Sequence, residues 1–88
     1  MDDAILLWQL EELADQLGIL IRDENIILEE AYSAGGLCRV DGKYILILNS
    51  KATMDEKLQV MVKALRQFDL DDMYVKPVIR ELLEGYEE

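Results

Sequence analysis

The chain has 88 residues, about half of them hydrophobic and only one a proline, a composition that folds around a single core and leaves no room for a second domain. Its 19 acidic residues outnumber 9 basic ones, and a net charge of −10 repels a nucleic-acid backbone, which is bound through clustered cations. One cysteine excludes an internal disulfide, histidine is absent, and no apolar run approaches membrane-spanning length. Asp2 and Asp3 directly follow Met1 in place of a secretory leader's basic and apolar regions, so the expectation is a cytoplasmic protein without nucleic-acid or membrane partners. A domain this small buries a modest share of its surface; with no disulfide and no evident metal ligand set, a homodimer is the remaining source of stability.

Leu6, Leu10, Leu13 and Leu17 recur at helical spacing, with Asp2 or Asp3 placed to cap the start and Gly18 just past the end, which predicts a first helix. Trp8 falls opposite this stripe, beside Glu11, Glu12 and Asp15. It is either a contact for a partner or a ring tucked onto the domain by a frayed first turn. Ile19 to Arg22, short and β-branched before Asp23-Glu24-Asn25, reads as a strand. Ile26 to Tyr32 fits a second short strand or a helix, and the extended form is preferred.

In CRVDGKYI, Asp41-Gly42 between two β-rich runs is the preferred composition of a two-residue type I′ turn, so Leu37 to Val40 pairs antiparallel with Lys43 to Asn49. That register sets Val40 opposite Lys43, Cys38 opposite Ile45 and Gly36 opposite Ile47, leaving Leu37, Arg39, Tyr44, Leu46 and Leu48 on the other face. Both faces are mostly apolar. Helices must cover each, or helices one and a second subunit the other. Thr53-Met54-Asp55-Glu56 has capping-box spacing and starts a second helix with a buried stripe of Leu58, Met61, Val62, Leu65 and Phe68. Glu56, Val60, Lys63 and Gln67 fall on its opposite side. The pattern breaks near Asp69, and Pro77 suits the first turn of a third helix with Val78, Ile79, Leu82, Leu83 and Tyr86 on its apolar side.

Little in the chain supports catalysis. A catalytic zinc needs imidazole, thiolate or carboxylate ligands converging on one point, and only carboxylates are plentiful here. Asp69, Asp71 and Asp72 lack the spacing and central glycine of a calcium loop. Glu11-Glu12, Glu29-Glu30 and Glu87-Glu88 are adjacent pairs that do not face one another on a helix. Ser33, Ser50, Thr53 and Cys38 have no histidine to activate them. Cys38 reads as a small apolar strand residue, and Gly35-Gly36, without a phosphate-binding pattern, as a hairpin entry or bulge.

The order of parts is informative: a helix ending in LADQLGI, an extended stretch, the hairpin GLCRVDGKYILILNS, then KATMDEKLQVMVKALRQFD. Over about Leu13 to Phe68 this resembles the small zinc peptidase domains of the ImmA/IrrE type, whose hairpin is followed by a helix bearing H-E-x-x-H. In that alignment the two histidines and the glutamate fall on Lys63, Gln67 and Ala64, so the resemblance implies a degenerate zincin-like relative without the peptidase's metal site. The hairpin and the FDLDDMYVKPVIRELLE end are also similar to small bacterial proteins of unassigned function.

The expectation is an α+β domain over residues 1–88: a helix, a small antiparallel sheet with an Asp-Gly hairpin, and two C-terminal helices. Functionally it is a non-enzymatic bacterial protein-interaction or regulatory module with no cofactor and an unspecified protein partner. A cryptic carboxylate-metal hydrolase and an acidic DNA-mimicking inhibitor are the alternatives. A homodimer is expected to use the hairpin face of Leu37, Tyr44, Leu46 and Leu48, with Trp8 at its rim.

Overall fold

The computed structural model describes residues 2–26 and 32–85. Its elements run α1 (Asp3–Gln16), β1 (Leu20–Glu24), β2 (Gly35–Val40), β3 (Lys43–Asn49), α2 (Met54–Leu65) and α3 (Pro77–Gly85), an α+β arrangement. Most of the Ile26 to Tyr32 stretch, and Tyr86, lie outside the described residues.

Local chemistry sets the ends of the helices. Asp2 caps α1 by accepting from the Ala4 N–H at 2.8 Å. At the other end Ile19 N–H reaches the Ala14 carbonyl at 2.9 Å and Gly18 N–H the Asp15 carbonyl at 3.0 Å, the paired bonds of a Schellman motif. The predicted capping box starts α2: Glu56 N–H donates to Thr53 Oγ1 at 3.2 Å, and Thr53 N–H to Glu56 Oε1 at 2.9 Å. Pro77 occupies the first position of α3, where its missing N–H costs nothing.

The hairpin has the predicted register, Val40 opposite Lys43 through Gly36 opposite Ile47, and Asp41 and Gly42 both take the positive φ that a type I′ turn requires, 52° and 80°. The sheet differs from the expectation in one respect. It is mixed, in the order β1-β3-β2, because β1 lies parallel to β3 with Leu20 beside Ile45 and Glu24 beside Asn49. Alternation along a strand fixes its faces but not the direction of its neighbour, so a strand as short as β1 could not reveal this.

One core joins all the elements. Leu46 and Leu48 of β3 lie beneath Leu10, Leu13 and Ala14 of α1 and Leu58, Met61, Val62 and Leu65 of α2, with Val75, Ile79 and Leu83 closing the α3 side. The helices therefore cover the face carrying Ile21, Leu37, Tyr44, Leu46 and Leu48. Leu20 and Val40, on the other face, are more than half exposed.

Candidate functional site

The outer row of α2 faces the beginning of β2 across an open groove of about 440 Å³. Glu56, Gln59, Val60, Lys63, Ala64 and Gln67 form one wall, and residues 34–37 form the other. The β2 wall is a sheet edge among the described residues. Asn49 N–H donates to the Ala34 carbonyl at 2.8 Å, which makes that pair a hydrogen-bonded one. The alternation of an antiparallel ladder then turns the backbone N–H and C=O of Gly35, Leu37 and Arg39 away from β3. Ser33 Oγ answers Gly35, accepting from its N–H at 3.2 Å and donating to its carbonyl at 3.5 Å. Leu37 and Arg39 keep edge groups with no strand neighbour among the described residues.

The lip of this groove is held by Asn49, the one polar residue of the described chain that is buried, at 1 % exposure. Its Nδ2 donates to the Ser33 carbonyl at 2.8 Å, and its Oδ1 accepts from Lys51 N–H at 3.0 Å. One side chain thus ties the approach to β2 to the turn leading into α2. Gly35 sits against β3 so closely, at φ 134°, that a Cβ there would meet the Ile47 carbonyl. At the α2 end, Tyr32 Oη donates to Glu56 Oε1 at 3.1 Å. The Thr53 N–H bond, aided by Tyr32, holds the Glu56 carboxyl below its ordinary range. Desolvation, followed by the hydrogen bond to Glu56 and its charge, raises the Tyr32 hydroxyl.

The three positions Lys63, Ala64 and Gln67 all line this groove: Lys63 and Gln67 exposed, Ala64 buried at 3 %. The residues expected at a dimer face separate. Leu46 and Leu48, at 0 % and 1 % exposure, are core beneath helices of the same chain, so neither side chain is available to a second subunit. Tyr44 is half-buried, edge-on to Phe68 with ring centroids 5.0 Å apart, with the Arg39 guanidinium carbon 5.3 Å from its ring centroid. Leu37 is half-buried at the groove lip. Only Trp8 is well exposed, at 56 %, on a helix that is intact from Asp3, so its ring is not folded back by fraying.

Chemically the groove offers one carboxylate, one ammonium, two primary amides and apolar surface, beside backbone donors and acceptors. The chain's only thiol, Cys38, is not in its lining, and no imidazole exists to act as a base. Among the described residues no three His, Cys, Asp or Glu side chains come together to hold a metal ion, and no helix is long and apolar enough to cross a membrane. Asp69 instead accepts from Asp71 N–H at 3.0 Å within its own loop. Asn49 and Tyr32 escaped the sequence reading. The sole signal for Asn49 is a polar residue ending the apolar run YILIL, and Tyr32 gave none. The fold and groove define an α+β domain whose sheet edge at β2 is unpaired among the described residues and lies beside a helix. No family model matches the chain, and no curated protein or solved structure matches it significantly.

Proposed function

We propose that this is a non-enzymatic, cytoplasmic protein-interaction module that takes an extended segment of a partner protein into the groove between β2 and α2. The observation that carries the proposal is the edge of β2 at Leu37 and Arg39, unpaired among the described residues, alongside a groove with both apolar and polar lining. A peptide adding there as a strand would hydrogen-bond to that edge and project alternate side chains toward Val60, Lys63 and Gln67. Edge groups supply affinity with little regard to sequence; the α2 row supplies selection. The groove's position over Lys63, Ala64 and Gln67 also supports reading the domain as a bacterial, degenerate metallopeptidase-like one that kept a cleft and lost its metal ligands.

Selection from a random peptide library tests the proposal. Selected peptides should bind the wild-type chain, lose binding to Val60→Arg or the more exposed Gln67→Arg, and be recovered intact after long incubation. Cleavage of bound peptides, with stoichiometric zinc or manganese in the purified protein, would favour the hydrolase alternative. Binders indifferent to both substitutions would move the site off the groove.

A further inference from the structure

β2 carries little of what keeps a sheet edge from pairing with another chain. Its six residues, GGLCRV, include no proline and one charge, Arg39, whose guanidinium carbon lies 5.3 Å from the ring centroid of Tyr44 on β3 and so leans away from the outer side. The outward backbone groups of Gly35 are answered by Ser33 Oγ, which leaves those of Leu37 and Arg39 unpaired among the described residues. On the sheet face away from the helices, Val40 is 51 % exposed, and at Gly36 nothing lies within 4 Å of the place where a Cβ would stand. Gly36, Cys38 and Ile47 help to line a shallow hollow of about 330 Å³ there.

We infer that the β2 edge also takes a second copy of this chain, β2 against β2 about a two-fold axis at Cys38, and that this self-association closes the peptide groove. The inference rests on the strand-adding reading of that edge. An antiparallel pair centred on Cys38 sets Leu37 of each copy opposite Arg39 of the other, and each such pair exchanges two N–H···O bonds, so the unpaired groups of both copies are all answered. A register centred on Leu37 draws in Gly35, which Ser33 already answers, and one centred on Arg39 runs into the turn at Asp41. The Cys38 register also stands the exposed Val40 of one copy beside the bare Gly36 of the other, on the same face, at the edge of the hollow. A net charge of −10 opposes self-association, yet the groove lining has one carboxylate, Glu56, and Thr53 and Tyr32 already hold it. Two six-residue strands cover little area, and interfaces under roughly 1,200 Å² belong to the weak, reversible class, so the dimer forms at high concentration and yields to a tighter-binding segment.

This register sets the two Cys38 residues directly opposite in a non-hydrogen-bonded pair, about 4.5 Å between Cα atoms, a span that a disulfide bridges. Disulfide trapping of the concentrated wild-type chain with diamide therefore reads the register: two thiols give up two protons and two electrons, and diamide is reduced to its hydrazine. In the double variant Cys38→Ser, Val40→Cys the same pairing holds the thiols about 13 Å apart along the strands, too far to bond. The wild-type chain should be trapped at least about tenfold faster than this variant. Trapping should quicken as salt screens two chains of like charge. The trapped dimer should not bind the library-selected peptides that the reduced chain binds, and reduction should restore binding. Trapping no faster than in the double variant, or slowed by salt, would overturn the inference; if that chain still bound selected peptides at Leu37 and Arg39, the groove reading would stand without it. Fast trapping of a chain whose monomer takes no peptide would instead overturn the groove reading and leave the second copy as the edge's occupant. A trapped dimer that binds peptide as well as the reduced chain would overturn closure of the groove.

Discussion

Replacing Asn49 by alanine removes the two side-chain bonds that join the groove lip to the turn before α2. The Lys51 N–H lies at an exposed residue and can turn to water, so its lost bond costs about 1 kcal/mol. The Ser33 carbonyl is part-buried, and leaving it without its donor costs about 1 to 3 kcal/mol. Together the loss is about 2 to 4 kcal/mol, against a total stability of about 4 to 13 kcal/mol for a chain of this length. Urea denaturation followed by circular dichroism reads this directly. With a slope of about 1 kcal/mol per molar, the midpoint should fall by about 2 M or more. A loss below about 0.5 kcal/mol would mean that neither bond matters, and the latch would be refuted. Asn49→Asp sharpens the test. It keeps an acceptor for Lys51 N–H but sets a second carboxyl oxygen against the Ser33 carbonyl, which favours the protonated form and raises the folded-state pKa. Stability of that variant should be fullest below the unfolded pKa of about 3.9 and be lost as pH rises through the folded value.

Other substitutions test separate parts of the fold. Leu46→Lys loses about 2 kcal/mol of apolar burial and buries an ammonium without a partner at a further cost of several kcal/mol, so the chain should be unfolded by circular dichroism. A folded Leu46→Lys monomer would return that face to the surface. Gly35→Ala forces a Cβ against the Ile47 carbonyl at a backbone angle that disfavours side chains, and should cost more than about 2 kcal/mol in chemical denaturation. An unchanged midpoint would contradict the close approach of β2 to β3. Desolvation, then the Asp23 charge, raises the Glu11 carboxyl, with Lys57 opposing. A raised folded pKa favours folding below the unfolded value and opposes it as pH rises through the folded one. Glu11→Gln should therefore stabilise the protein at pH 7 by less than about 1 kcal/mol after solvent screening, and the gain should vanish below about pH 4.

Features set by neighbours in sequence were legible. Thr53 with Glu56, Asp41 with Gly42, and the stripes of α1 and α2 act through bonds and periodicities a few residues long. Features set by distant pairing were not. The alternation of YILILN separates Leu46 from Ile47, but which face receives the helices depends on where α1 and α2 pack, and Leu46 fell on the covered side. The parallel pairing of β1 follows from insertion of β3 between β1 and β2, which no local pattern records. Lys63 and Gln67 were readable as the outer row of α2, whereas the strand edge opposite them is a product of the sheet order. Asn49 illustrates the same limit, since its partners at Ser33 and Lys51 meet only after the hairpin closes.

The most direct test of the groove as a strand-adding site is an NMR structure of the wild-type chain with a library-selected peptide. Nuclear Overhauser contacts should run from the peptide backbone to Leu37 and Arg39, both amides should exchange more slowly on binding, and peptide side chains should reach Val60 and Gln67. A bound peptide that leaves the Leu37 and Arg39 amides exchanging as they do in the free protein, with its contacts elsewhere on the surface, would contradict strand addition at this groove.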